Sequence, residues 1–250
     1  MNDTINSEGR ASFGIFYGGV VVLQARLLCS AGLYFRCGDS AILVDALNQP
    51  FRSFKAVPDD TAERLIRGQA PYERIDGLFY THLHPDHYDQ DRNRAFLERC
   101  PGVRTFFPVR ETPEHGLIRA GKFTVEYQYF EHTPCDYAWA KHYVLLLSAG
   151  GSTVYIAADA ELNPAAHWEF LSGRSVDYGF FNAIYLSYCE TRRLLREAVG
   201  RAFIYHMPES KNDGIYRKAV RNFARFPEEL KGITLLDRYP MDLDLPPERG

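Results

Sequence analysis

The stretch Phe79–Asp89, "FYTHLHPDHYD", places His82, His84 and His87, three of the chain's eight histidines, together with Asp86 and Asp89 between positions 82 and 89. The preceding "DGLF" is apolar and strand-like, so the cluster falls where a strand runs out into a loop. There, alternate side chains can be aimed at one point. His82 and His84 offer two neutral imidazoles two residues apart, a spacing suited to one metal ion, while Pro85 restricts His84 to an extended backbone. Asp86 and His87 follow and can face a second ion beside the first. Any one of these residues alone reads equally well as an ordinary hydrogen-bonded side chain. Four ligand-type residues in six positions at a strand's C-terminal end read as a metal site.

Working outward, short β-rich runs come first: "FGIFYGGVVVL", then "GLYFRC" and "AILVDA" separated by the turn-like "GDS". "DDTAERLIRG" predicts a helix, with acidic residues at its start and Gly68 as C-cap. Beyond the histidine cluster, "DQDRNRAFLERC" is helix-like and "RTFFPV" strand-like. In "FTVEYQYF", Phe123, Val125, Tyr127 and Tyr129 alternate with polar residues, as in a half-buried strand. "YVLLLSAGGSTVYIAAD" predicts a hairpin turning at Gly150-Gly151 and ending on Asp159. Then come a strand "VDYGFFNAIYL", a helix "ETRRLLREAV", a strand "AFIYHMP", and a helix presenting Ile215, Ala219, Val220 and Phe223 on one face.

Bulk properties limit what such a site could serve. At 250 residues and 46% hydrophobic, with no repeat or linker, the chain is expected to be one domain over residues 1–250. Twenty-nine basic against 32 acidic residues leave a formal charge of -3, which argues against a dedicated nucleic-acid or anionic-membrane binder. The expected partner is a small-molecule substrate, and a homo-oligomer stays open. Five scattered cysteines without a CxxC pair suggest thiols in a reducing compartment, so cytoplasm is the expected location. No apolar run approaches the ~20 residues of a membrane span, and no signal-peptide core is expected at the N-terminus.

The HxHxDH pattern formed by His82, His84, Asp86 and His87 resembles the signature of the metallo-β-lactamase fold hydrolases. That resemblance implies an α/β fold, a four-layer αββα sandwich with one or two metals at the sheet edge, and the order of runs above agrees with it over nearly the whole chain. It also implies further ligands. His132 or His142 would supply the third histidine; "EHTP...KHYVLLL" resembles the lactonase-like arrangement in which the first is the ligand and the second packs beneath it. Asp159, ending "TVYIAAD", matches the bridging aspartate, and His206 in "AFIYHMP" the last histidine. Asp45 in "AILVDA" resembles an aspartate that supports the metal loop without binding metal. His115 and His167 have no matching context.

The resemblance thus implies His82, His84 and His132 on one ion, Asp86, His87 and His206 on the other, and Asp159 between them. Nitrogen-rich ligation without thiolate favours two zinc ions on affinity grounds, although manganese or iron would fit the same ligands. Such a pair can activate water near neutral pH and polarise a carbonyl or phosphoryl oxygen, which implies hydrolysis, with Asp86 placed to orient the nucleophile and shuttle a proton. His84 in place of glutamate disfavours the oxygen-reducing diiron branch, and Asp159 in place of cysteine disfavours true β-lactamase activity. What remains resembles the lactonase and phosphodiesterase branches, including the ascorbate-6-phosphate lactonase type. A mononuclear iron oxygenase of the persulfide dioxygenase type and a non-catalytic metal-binding module stay open. Tyr88, Lys211 and Asn212 lie near the presumed mouth, and Arg192, Arg193 and Arg196 read as a charged helix face.

Overall fold

Two central hairpin strands show why the chain folds in layers. In β8 (His142–Ala149) and β9 (Ser152–Ala158), Tyr143, Leu145, Leu147, Val154, Ile156 and Ala158 join one buried cluster, while Val144, Leu146, Tyr155 and Ala157 join another. Successive side chains of a strand point to opposite faces, so a sheet covered on both sides needs an unbroken apolar run, as "YVLLL" and "TVYIAA" supply. Gly150 and Gly151 both have positive φ, 59° and 79°, which the tight two-residue turn between these strands requires.

A computed structural model of the protein describes residues 22–133 and 140–246. The expected opening strand "FGIFYGGVVVL" lies outside the described residues, apart from its last two positions, as does Cys135. The first sheet contains β1 (Leu23–Leu27), β2 (Leu33–Cys37), β3 (Ser40–Val44), β4 (Gly77–Phe79), β5 (Arg104–Phe106) and β13 (Met241–Leu245), in the order β13-β1-β2-β3-β4-β5. The second contains β6 (His115–Ala120), β7 (Phe123–Phe130), β8, β9, β10 (Tyr178–Asn182), β11 (Arg201–Tyr205) and β12 (Thr234–Leu235), in the order β12-β11-β10-β9-β8-β7-β6. Both sheets are mixed. The pairs β3·β4 and β4·β5 are parallel in the first, β9·β10, β10·β11 and β11·β12 in the second, and the other pairs are antiparallel.

The inner faces of the sheets meet in one cluster that includes Leu27, Phe35, Ile42, Val44 and Phe79 from the first and Val125, Leu145, Ile156, Phe180 and Phe203 from the second. Helices α1 (Asp59–Arg67) and α2 (Gln90–Arg99) cover the outer face of the first sheet through Leu65 and Phe96. Helices α3 (Pro164–Leu171), α4 (Cys189–Glu197) and α5 (Gly214–Arg225) cover the second, with Leu171, Leu194 and Ala219 buried. The layering is therefore α-β-β-α, as expected. Leu145 is fully buried at its centre, and its truncation to alanine costs about 2–5 kcal/mol.

Three local expectations are corrected. On α5, Ala219, Tyr216 and Phe223 face the sheet, whereas Ile215 and Val220 remain 44% and 43% exposed. At about 100° per residue the last two flank the stripe on either side. The strand expected over "VDYGFFNAIYL" stops at Asn182 and continues as a 3-10 turn, Ala183–Ser187, because the Asn182 side chain accepts the Ile184 N–H and caps it. Arg192 is not part of a solvated face: it is 5% exposed, stacks over the Phe226 ring and pairs with Glu229 at 2.7 Å. Gly68, at φ 60°, does end α1.

Candidate metal centre

Strand direction assembles the site. β7, β9, β10 and β11 all run the same way in the second sheet, and β3 and β4 run together in the first, so their C-terminal ends share edges of the sandwich. From those ends come Asp45 after β3, the His82–His87 loop after β4, His132 after β7, Asp159 after β9, Asn182 ending β10, and His206 after β11. The sheets are tied together there by Tyr143 N–H, which donates to Thr81 O at 2.8 Å. Asp45, Ala158 and His206 hold φ of 51°, 45° and 54°. Non-glycine residues tolerate this left-handed conformation only where the surroundings enforce it, and it turns each strand end sharply toward the site.

The histidine loop is held from two sides. Asp45 accepts Thr81 N–H and Thr81 Oγ1–H, both at 2.8 Å, and its Oδ2 lies 3.0 Å from His87 Nδ1. Asn48, which sequence reasoning missed, is fully buried and donates to Asp86 O at 2.6 Å while accepting Val57 N–H at 2.9 Å. Within the loop, His87 N–H and Tyr88 N–H donate to His84 O, closing a turn that puts Asp86 and His87 beyond it.

All seven candidate side chains are brought together. Ligand atoms of His82, His84 and His132 lie within 4.8 Å of one another; the same holds for Asp86, His87 and His206, and for His82, His87 and Asp159. Asp159 Oδ2 sits 3.7, 3.4, 3.7 and 3.6 Å from Nε2 of His82, His87, His132 and His206 respectively. These distances are at or beyond the limit of hydrogen bonds. Ligand atoms about 2.1 Å from a tetrahedral ion lie about 3.4 Å apart, so the spacing fits atoms facing shared cations. His87 Nε2 is 2.9 Å from His206 Nε2, close enough that the two must share a proton or a cation. His82 Nε2, completely buried, has no hydrogen-bond partner, a state that an ion would relieve. The donor set therefore fits two transition-metal ions.

Electrostatics are set by burial and crowding. Burial, aided by His87, pushes His82 well below the ordinary imidazole range. His87 is also opposed by burial, but Asp45 and then Asp159 outweigh it and raise its affinity for a proton. Burial likewise works against ionisation of Asp159, yet His206, His87 and His82 hold its carboxyl well below the usual range. The cluster thus keeps Asp159 ionised and His82 uncharged, while the proton favoured on His87 is one that a bound cation would displace.

His142 belongs to none of these ligand groups. It is fully buried, its Nε2 accepts the Asp159 N–H at 3.2 Å, and burial pushes it well below the ordinary range. Among the weaker candidates, Tyr88 packs edge-on against Tyr80 toward the outer helix layer, while Lys211 and Asn212 are exposed ahead of α5. His115 is exposed at the start of β6, and His167 is buried between Tyr155 and Tyr185. Asn182, also unforeseen, donates to Asp159 Oδ1 at 2.9 Å.

No family model and no curated protein matches the chain by sequence. Solved structures do match. The metallo-β-lactamase fold protein YhfI from Bacillus subtilis superposes with a TM-score of 0.60 at 17% identity, over 90% of this chain and 99% of that one. A "possible metal-dependent hydrolase" from Veillonella parvula gives 0.60 at 11% identity, over 90% and 100%. CmlA, a diiron beta-hydroxylase from Streptomyces venezuelae, gives 0.57 at 14% identity, over 90% of this chain but 54% of its own. The chain has the metallo-β-lactamase fold.

Proposed function

We propose that the chain is a metal-dependent hydrolase holding two transition-metal ions, zinc favoured by its ligand set, and cleaving an ester bond in a small molecule, a lactone or a phosphodiester. The observation that carries this reading is the single Asp159 oxygen placed 3.4 to 3.7 Å from four imidazole nitrogens. His82, His84 and His132 would hold one ion, Asp86, His87 and His206 the other, with Asp159 between them. Bound there, the ions supply Lewis acidity and lower the pKa of water toward neutrality.

The chain's own residues do the rest. Asp86 Oδ2, 3.5 Å from His206 Nε2 and 5% exposed as a residue, stands at the inner wall of the site, where it would orient the attacking water and pass its proton to the leaving group. Phe54 sets its ring at 86° to that of His206, with the centroids 4.3 Å apart, and packs against one side of it. The absence of a basic excess supports a small substrate rather than a nucleic acid. Among the described residues no helix is long and apolar enough to cross a membrane and no disulfide occurs; with the scattered thiols this supports our proposal of a cytoplasmic location.

Elemental analysis of the purified chain, followed by assays on lactones, phosphodiesters and thioesters, tests the reading. Two bound ions and turnover of a lactone or phosphodiester are expected. No bound metal after reconstitution overturns it, and so does oxygen consumption by a one-iron form without hydrolysis.

A further inference from the structure

Resting on that reading, we infer that Asn182 is a positioning residue that commits Asp159 to face the metal pair through one oxygen, Oδ2. A carboxylate's terminal torsion is broad and roughly two-fold, so Asp159 alone could exchange its oxygens or turn both toward the cations. Asn182 removes that freedom. Its Nδ2 donates to Asp159 Oδ1 at 2.9 Å, while its own Oδ1 accepts the Ile184 N–H at 2.9 Å. The second bond fixes which end of the amide faces Asp159, because a backbone N–H can only be met by the carbonyl oxygen.

The backbone of Asp159 is equally constrained. Its N–H donates to His142 Nε2 at 3.2 Å, and its C=O accepts Thr133 N–H at 2.8 Å. Just before it, the register between β9 and β10 shifts so that Ile156 and Ala158 pair with Phe180 and Phe181, leaving Ala157 as an extra residue. A bulge of this kind re-aims the side chain that follows. With the backbone set by the bulge and Oδ1 taken by Asn182, Oδ2 is the oxygen that lies nearest each of the four histidines.

The choice of asparagine matters. A lysine or arginine donor would orient the carboxylate but also neutralise it, in competition with the cations; a neutral amide orients it and leaves its charge for them. Asn182 lies at the last position of β10, beside β9 in parallel register, where a short side chain reaches Asp159.

The test separates this role from capping of the 3-10 turn. Asn182→Ser keeps a side-chain acceptor for Ile184 N–H but is too short to reach Asp159 Oδ1, whereas Asn182→Ala loses both bonds. Zinc stoichiometry and affinity are measured by chelator competition, the visible spectrum after cobalt loading, and the melting temperature of the metal-free chain. Asn182→Ser, which loses the bond to Asp159 and keeps the cap, should melt above Asn182→Ala, which loses both, and should bind at least one ion tenfold or more weakly and change the cobalt spectrum; Asn182→Ala should match it in metal binding. Wild-type affinity and spectrum in Asn182→Ser overturn the role while leaving the proposed function intact. A wild-type chain that binds no metal overturns both. Should the serine variant not fold, Asn182→Asp keeps the cap and replaces the donor by a repelling carboxylate, and wild-type affinity there also overturns the role.

Discussion

Nδ1 of His87 lies 3.0 Å from Oδ2 of Asp45, and neither side chain is exposed. The pair fixes the imidazole by one nitrogen and leaves Nε2 directed at Asp159 and His206. A carboxylate behind Nδ1 orients the ring so that Nε2 faces the site, which is what a metal requires of a histidine. Asp45→Asn keeps the size of the side chain but can no longer fully accept from Thr81 and His87 together. Metal affinity should fall about 10–100-fold, measured by chelator competition; an unchanged affinity would show that Asp45 serves the fold alone.

Asp159 and Asp86 should fail differently. Asp159 faces all four imidazoles, so Asp159→Ala removes the common carboxylate, and metal content and turnover should collapse together, the rate by roughly a hundredfold or more. Asp86 is grouped with His87 and His206, its Oδ2 3.5 Å from His206 Nε2, and its backbone is held independently by Asn48. Asp86→Asn should retain part of the metal while kcat falls. Equal rates for both variants and wild type on a confirmed substrate would refute the assigned roles.

His132 and His142 are close neighbours with separable duties. The His132 ring lies 4.8 and 4.6 Å from those of His82 and His84, and a bridge between His132 and Ala160 pins its backbone to the residue after Asp159. His142 spends its Nε2 on the Asp159 amide, inside the sandwich. His132→Ala should reduce metal content and abolish hydrolysis. His142→Ala, which leaves a cavity and an unmet N–H, should chiefly lower stability, by about 1–3 kcal/mol. A metal-loaded structure with His142 nitrogen about 2.1 Å from an ion would reverse the assignment.

How much of this could be read beforehand depends on range. The histidine loop is local, so its density shows in eleven letters, and Asp159 and His206 stand out because each ends an apolar run. Asn48 and Asn182 do not, since an asparagine at a strand end looks the same whether it caps a turn or steadies a carboxylate 23 residues away. Edge elements were also hidden. β13, "MDLDL", does alternate apolar residues with acids, but it is only 5 residues long, Asp is a poor strand former, and its partner β1 lies more than two hundred residues away, so the signal is weak. The face of α5 was misjudged because flank and centre of a stripe differ only in what packs against them.

His167 makes stability, rather than chemistry, sensitive to acid. Its Nδ1 lies 2.6 Å from Tyr155 Oη, and its Nε2 lies 2.9 Å from Tyr185 Oη and 3.2 Å from Glu161 O. This suits a neutral ring donating from Nε2 and accepting at Nδ1. Burial pushes its pKa down to about 4, against only partial support from the Glu161 carbonyl. In the unfolded chain the ring titrates near 6.5, so between the two values the unfolded state binds the proton that the folded state refuses. Its contribution is therefore complete above about pH 6.5 and is lost as pH falls through about 4, on the order of 3 kcal/mol in all. His167→Gln retains a donor and an acceptor without titrating. In urea unfolding of metal-stripped protein at pH 7.5 and 4.5, wild type should lose on the order of 2 kcal/mol more than the variant between the two conditions. Parallel losses would place the acid sensitivity elsewhere, among the histidines of the metal loop.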